Sequence, residues 1–571
     1  MLSRREFQMS LLAAGGLPEG WLPEGCMVDV RWHGEICRAR ITNKGQQAVA
    51  VGEVVMLELP HEYPAATRVY GEGFTMLSQT GGTLGQPEDI GGYTDRKHYR
   101  IPEPGDALTV YNALALTPPQ GESLLLGFTS CRRFSGRFHV RARSIQVTMD
   151  GEGRMLGAGE SWELEELCRW RGAEAAALWS KLAARIETHH PRLAWAAPPE
   201  GWCSWYCFGP SVTAQQVRDN LEWIGKNAPF LRYVQIDDGY QPAMGDWLET
   251  GAAFGGDIRS VLKEIKERGF EPAIWVAPFI AEAKSRLFQE HPEWFMQAAD
   301  GTPLASNQVT FGGWRRGPWY ALDATNAGAR AHLTRVFRTM NRDWGCTYFK
   351  MDANFWGAMH GARLRDPKAT RIEAYRMGMR AIIEGAGPSF LLGCNHPMWP
   401  SLGLIHGSRS SGDISRKWRT IKKVSAENLR RAWQNGRLWW NDPDALVLLG
   451  ALPEEEFLFL VAATFATGGM LLSGDDLTKM PEARLALLKK LRPTGVAAQF
   501  DAELRVGRMA LAGRELVFLL NWEDRAAVAR FAVAGSKRVR DYLTGVDLGV
   551  RNGVVELGEM AAHSGRVLEV V

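Results

Sequence analysis

Between residues 195 and 490 short apolar runs alternate with amphipathic stretches, and most of the apolar runs end abruptly in a polar or charged residue. This alternation constrains the fold more than any other feature, because repeated βα units build a parallel sheet with helices packed outside it. Residues 232–236 form a short β-type run that stops at Asp237-Asp238-Gly239. Ile258, Val261, Leu262 and Ile265 then recur at i, i+3, i+4 and i+7, one face of a helix. Residues 272–278 read as the next strand, and Leu333, Val336, Phe337 and Met340 as the next helical stripe. Residues 346–351 read as a strand again, with a helix near 370–384. Leu391-Leu392, Leu404-Ile405, 438–440 and 470–472 supply further strands, and 201–206 opens the series. Eight strand candidates over roughly 290 residues predict an α/β fold centred on a (β/α)8 TIM barrel. A doubly wound open sheet is the alternative, but it ordinarily carries a glycine-rich fingerprint at a switch point, and the sequence has none.

The flanks have a different rhythm. From 20 to 170 the chain reads as short β runs broken by Gly and Pro, for example 27–32, 48–59 and 123–128, followed by a helix at 173–186. The C-terminal stretch returns to β runs at 515–521, 539–542 and 566–571. The expected organisation is an N-terminal β-sandwich with a linker helix over 20–190, a catalytic barrel over 195–492 and a small C-terminal β-sandwich over 495–571. Residues 1–19 stand apart: Ser3-Arg4-Arg5-Glu6-Phe7 and the apolar 11–16 resemble a twin-arginine export signal, which predicts a periplasmic or secreted protein, with a cytoplasmic location as the alternative.

Composition removes several classes. The formal net charge is only +3 and no basic stripe is present, so nucleic acid is not an expected partner. The uncharged stretch 457–474 is interrupted by Thr464, Thr467, Gly468 and Gly469, which fits a buried helix and strand better than a membrane span. The eight cysteines are scattered, and Cys203 and Cys207 have no second pair at zinc-ligand spacing. A zinc site is therefore not expected. Tryptophan is abundant at 22 residues, which suits either large cores or the stacking of flat rings on sugars. The oligomeric state stays open, a homo-oligomer included.

In a barrel of this kind, side chains at the carboxyl ends of the strands form the active site. Those ends carry Trp205, Asp237 and Asp238, Trp275, Lys350 and Asp352, Cys394 and Asn395, Arg409 and Asp413, and Asn441, Asp442 and Asp444. A single Asp after a strand is ordinarily a helix cap, and Asp-Pro-Asp at 442–444 is good turn chemistry. So many acids beside one lysine and one arginine at one mouth are costly unless a ligand uses them. Two carboxylates plus hydroxyl-binding groups meet the requirement of glycoside hydrolysis, provided their environments hold opposite protonation states. Asp352, two residues from Lys350, is expected to stay ionised. An acid near Arg409 must instead begin the cycle protonated.

These elements resemble the melibiase-type α-galactosidase family. Tyr348-Phe349-Lys350-Met351-Asp352-Ala353-Asn354 resembles its K-x-D-x-N strand, Gly201-Trp202-Cys203-Ser204-Trp205 its first strand, and Ile236-Asp237-Asp238-Gly239-Tyr240-Gln241 its D-D-G-[WY]-Q strand. Leu392-Gly393-Cys394, Arg409-Ser410-Ser411-Gly412-Asp413 and Trp440-Asn441-Asp442-Pro443-Asp444 follow in the family's order. The resemblance implies a retaining enzyme acting on α-galactosides, with Asp352 as nucleophile and Asp413 as acid/base. It further implies that Asp237, Asp238 and Lys350 bind the 3-, 4- and 6-hydroxyls, that Asn354, Cys394 and Arg409 lie near the 2-hydroxyl, that Trp205 walls the ring, and that no metal or cofactor takes part.

The chain also departs from the pattern. Met351 stands where Trp is common, and the fifth strand continues as Asn395-His396-Pro397-Met398-Trp399 rather than as a glycine-rich run, which leaves preference at the 2-position open. His396 is expected to cap a loop rather than serve a subsite, and Trp314, Arg315, Arg316 and Trp319 form either a leaving-group wall or an exposed basic loop. The alternatives are an α-N-acetylgalactosaminidase, a raffinose-synthase-like transglycosylase, and, from another class, a non-catalytic galactoside-binding barrel.

Overall fold

Eight short parallel strands form the centre of the computed structural model, which describes residues 22–571. In chain order they are Glu200–Cys203, Tyr233–Ile236, Glu271–Val276, Tyr348–Met351, Phe390–Gly393, Gly407–Arg409, Trp440–Asp442 and Leu471–Ser473. Each pairs in parallel with the next through the seventh, and the first pairs with the eighth. A parallel bridge between Leu446 and Ser473 joins the segment after the seventh strand to the eighth, so the sheet is barrel-like rather than open. The doubly wound alternative is thereby set aside. The export signal proposed for 1–19 falls outside the described residues.

Helices cover the ring where the sequence supports them. Ala214–Asn227 starts from a capping box in which Thr213 and Gln216 exchange hydrogen bonds, and Arg371–Ala386 starts from the same device in Thr370 and Glu373. Ala327–Arg342 buries Leu333, Val336, Phe337 and Met340, the stripe expected from spacing. The apolar stretch near 457–474 folds as the helix Glu454–Ala466 and the strand Leu471–Ser473, both buried. Among the described residues no helix is long and apolar enough to cross a membrane.

The fifth crossover departs from eight regular βα units. Among the described residues it has no α-helix, only a 3-10 turn at Trp399–Ser401. Pro397 and Pro400 each lack an N–H donor and disfavour a helix there. The N-terminal sheet takes the missing helix's place. Met76 N donates to His396 O at 2.9 Å, Met398 N to Phe74 O at 2.8 Å, and Trp399 Nε1 to Phe128 O at 2.7 Å. The polar backbone of an irregular segment is thus paired although it is buried.

Strands from Cys26–His33 to Leu167–Gly172 form one hydrogen-bonded sheet of twelve strands, and the helix Ala175–His189 follows it. The last six strands, from Gln499–Phe500 to Gly565–Val570, form an antiparallel sheet. Many tryptophans go into cores: Trp202, Trp247, Trp319, Trp356, Trp399 and Trp439 are fully buried.

Candidate active site

At the carboxyl end of the ring lies a cavity of about 590 Å³. It brings together Trp205, Asp237, Asp238, Lys350, Asp352, Cys394, Arg409 and Asp413 from the first, second, fourth, fifth and sixth strand ends. Asn354 lies outside its lining. Ala353 adopts a left-handed backbone with φ 53°, and the chain then enters the buried 3-10 turn Asn354–Ala358, where Asn354 Nδ2 donates to Met351 O at 2.9 Å. The structure thus keeps Asn354, which the resemblance puts near the 2-hydroxyl, off the cavity lining itself.

Ala353 N donates to Asp352 Oδ1 at 2.7 Å, while Trp275 Nε1 donates to Oδ2 at 3.1 Å. The left-handed backbone of Ala353, a non-glycine residue, costs on the order of 1–3 kcal/mol, which the surrounding packing must supply. Burial raises the Asp352 carboxyl above the ordinary aspartate value, Lys350 and the two donors work against that rise, and Asp413 adds to it.

Lys350 and Asp237 form a buried ion pair, Nζ to Oδ2 2.9 Å, and Gln235 Nε2 donates to the same oxygen at 2.7 Å. Burial disfavours the ammonium, but Asp237 prevails and holds Lys350 well above its usual value, so it stays charged. Asp238 is gripped by Arg315, whose Nε donates to Oδ2 at 3.0 Å and whose Nη2 donates to Oδ1, and Gln241 Nε2 adds 2.6 Å to Oδ1. The sequence offers Arg315 as part of a leaving-group wall or of an exposed basic loop, and not as the partner of Asp238. Its partner lies far back in the chain, and no local spacing signals the pairing. Trp314 beside it lines the cavity, while Trp319 is buried against Trp356.

On the opposite side Arg409 Nη2 lies 2.8 Å from Asp413 Oδ1 and 2.9 Å from Asp444 Oδ2, and Tyr206 Oη donates to Asp444 Oδ2. Cys394 Sγ lies 3.8 Å from Arg409 Nη1. Burial pushes Asp413 up, yet Arg409, Lys350 and a hydrogen bond from Tyr206 outweigh it and leave the carboxyl below its ordinary value. Its side chain keeps 66% of its surface open, so water screens that attraction. Asp444 is pushed up to about 6, first by burial, against the pull of Arg409. Asp413 is thus held below, and Asp352 above, the ordinary aspartate value.

His396 is fully buried, with Nδ1 3.0 Å from Ser401 Oγ and Nε2 2.8 Å from Ser408 Oγ, and burial lowers it to about 3, which leaves it neutral. It braces the loop after the fifth strand and does not line the cavity. The N-terminal sheet adds wall residues that no motif pointed to, Met76, Leu77 and Tyr93. Among the described residues no group of His, Cys, Asp or Glu side chains is arranged to hold a metal ion.

A barrel-like parallel ring that turns carboxylates toward one cavity at its carboxyl end is an arrangement that glycoside hydrolysis can use. Residues 230–386 match the melibiase family model. A 205-residue stretch is 30% identical to an "A type blood alpha-D-galactosamine galactosaminidase" of Flavonifractor plautii, covering 34% of this chain and 18% of that relative. The chain thus spans about a fifth of that relative's length. The fold is similar to TtGalA, an α-galactosidase from Thermus thermophilus solved with p-nitrophenyl α-D-galactopyranoside, at 22% identity and TM-score 0.66 over 85% of this chain and 95% of that one. It is also similar to the α-galactosidase AgaA of Geobacillus stearothermophilus, at 15% identity and TM-score 0.68 over 96% and 82% of the two chains.

Proposed function

We propose that this protein is a retaining α-galactosidase that removes terminal α-D-galactosyl residues through a galactosyl-aspartate. In this reading 195–492 is a (β/α)8 catalytic barrel, flanked by β-sandwiches at 20–190 and 495–571. One observation carries it: Asp352 and Asp413 share one cavity with two fixed ion pairs, Lys350–Asp237 and Arg315–Asp238, that present oxygens and an ammonium to a sugar.

Asp352 is the nucleophile. Trp275 and Ala353 each give one hydrogen bond to its carboxylate, which favours the charged form and orients the oxygens. Asp413 is the acid/base. A sugar seated over it displaces water and raises its pKa, so that it carries the proton it gives to the departing oxygen. Arg409, anchored by Asp444, then steadies the carboxylate left behind, which takes a proton from the attacking water. Asp237, Asp238 and Lys350 hold the 3-, 4- and 6-hydroxyls, Trp205 walls the ring, and Cys394 with Arg409 faces the 2-position.

A second reading, cleavage of a 2-amino galactoside, is favoured by the name of the Flavonifractor plautii relative and by the altered segment after Cys394. One assay separates the readings. Wild type and Asp352→Asn are compared on the p-nitrophenyl α-galactoside, α-galactosaminide, α-N-acetylgalactosaminide and α-glucoside. Turnover of the galactoside alone, lost in the variant, supports the first reading. Preference for an amino sugar supports the second, and release of β-galactose as the first product, seen by proton NMR, contradicts retention.

A further inference from the structure

Deep in the site each cation has a carboxylate partner: Lys350 has Asp237, Arg315 has Asp238, and Arg409 has Asp413 and Asp444. The outer wall differs. Arg419 and Lys423 line the same cavity from the first turns of the helix Trp418–Arg430, and among the described residues neither forms an ion pair. Lys423 reaches across the cleft to the N-terminal domain, where a Cβ on Gly92 would meet its Nζ at 3.9 Å. The His98 imidazole on that loop is held below its ordinary value by burial and by the charges of Lys97 and Lys423. Thr420 adds a hydroxyl between the two cations, and the amino end of the helix adds partial positive charge.

Beside Asp413, which Arg409 holds, one further acid shares this wall. Glu427 Oε2 accepts from Gly412 N at 2.7 Å, and burial pushes its carboxyl up to about 7. At neutral pH it therefore carries only about half a charge, which leaves the two cations in excess. Asp413 sits on the loop that feeds the helix, six positions before Arg419. A glycosidic oxygen protonated by Asp413 has its aglycone on that side.

We infer that the leaving-group end of this cavity takes an anionic aglycone, a carboxylate- or phosphate-bearing sugar or polyol held by Arg419 and Lys423. The inference rests on the α-galactosidase reading and deepens it. The reaction is the same hydrolysis. The bond from the anomeric carbon to the aglycone oxygen breaks, Asp352 takes the carbon and Asp413 gives its proton to the oxygen. Water then takes the galactosyl group and returns a proton to Asp413. The anion is bound and leaves unchanged.

Melibiitol and melibionate share one α-1,6-galactosyl bond and an open-chain leaving group, and differ only in a terminal hydroxymethyl against a carboxylate. The expected result is a kcat/KM about tenfold higher for melibionate at low salt, decaying toward parity near about 0.5 M salt as screening sets in. Arg419→Gln with Lys423→Gln should bring the ratio close to one, while Lys423→Arg should preserve it. α-Galactosyl glycerol against its phosphate repeats the comparison and distinguishes a phosphate from a carboxylate. Equal kcat/KM for the neutral and anionic members of both pairs overturns the inference, as does a preference that salt and the double variant leave intact. The salt series on wild type decides the matter should the double variant not fold. Absence of turnover on melibiitol and on p-nitrophenyl α-galactoside alike sinks the α-galactosidase reading itself, a different outcome from turnover without charge preference.

Discussion

Arg315 closes a two-armed ion pair on Asp238 from 77 positions along the chain, Nε to Oδ2 at 3.0 Å and Nη2 to Oδ1. Asp238 is almost fully buried and Arg315 side-chain exposure is 23%, so the guanidinium is the lid over a carboxylate that, among the described residues, has only Gln241 as a further side-chain donor. Charge-assisted two-armed pairs fix geometry as well as charge. Arg315→Ala should leave Asp238 uncompensated and misplaced, lowering kcat/KM on p-nitrophenyl α-galactoside by about tenfold to a hundredfold, or ~1.4–2.8 kcal/mol, with most of the loss in KM. Arg315→Lys restores charge without the second arm and should fall between. Wild-type kinetics in the alanine variant would show that Asp238 needs no such lid.

The two carboxylates should fail in different ways. Asp352→Asn should reduce turnover by about a thousandfold or more on every galactoside, because no covalent intermediate can form. Asp413→Ala should spare the first step when the leaving group is p-nitrophenolate, which needs little protonation, and cost about 10²–10⁴-fold on melibiose. Pre-steady-state release of p-nitrophenol checks this, since a burst should appear in the Asp413 variant and be absent in the Asp352 variant. Equal losses on both substrates would remove Asp413 from the acid role.

Glu427 gives a stability change with a definite sign. Its folded pKa is raised from 4.5 to about 7, chiefly by burial, so the folded state holds the proton where the unfolded chain has released it. Folding is favoured by this group below pH ~4.5, and that advantage is lost as the pH rises through about 7, at most ~3 kcal/mol in all. Glu427→Gln can still accept the hydrogen bond from Gly412 N and has no charge to bury. It should melt higher than wild type at pH 8 by a few degrees, with the gap narrowing below pH 5. Thermal melts across pH 4–8 that run parallel for the two proteins would contradict the assignment.

How far the sequence reveals this molecule depends on the range of each interaction. The ring was legible because each strand carries its own signal, an apolar run ending in a charged residue, as at Asp237 and Asp352. Strand edges drifted where that signal is weak: Leu404-Ile405 read as the sixth strand, yet the ring uses Gly407–Arg409, whose polar Ser408 and Arg409 are buried through hydrogen bonds rather than apolar packing. The fifth crossover was opaque because its partner is a sheet formed some 300 positions earlier, through contacts such as Thr75 with Pro397. Asn354 follows the K-x-D-x-N pattern, but the backbone of Ala353 decides where it goes, and φ is not written in residue type. The opposed pKa directions at Asp352 and Asp413 depend on burial and on charges from three separate strands, which residue order alone does not display.

The wall that the N-terminal sheet contributes depends on one fully buried pair. Arg431 Nη2 and Nε lie 2.8 and 3.0 Å from Glu72 Oε2, Gln434 Nε2 donates to Glu72 Oε1 at 2.8 Å, and Arg431 Nη1 and Nη2 donate to the carbonyls of Met76 and Ser78. Those carbonyls bracket Leu77, which lines the cavity with Met76. The pair therefore joins the domains and also sets the height of the cavity wall. Glu72→Ala leaves a guanidinium buried without its counter-charge and should destabilise the protein by about 3–5 kcal/mol. Arg431→Met with Glu72→Leu removes both charges and should recover much of that loss, since two well-packed apolar groups need no counter-charge. The double variant still lacks the donors to Met76 and Ser78, so it should keep a raised KM for p-nitrophenyl α-galactoside even where its melting temperature recovers. Recovery of both quantities together would mean that the wall is held by packing alone, and recovery of neither would mean that the charges themselves are needed to seat the sheet on the ring.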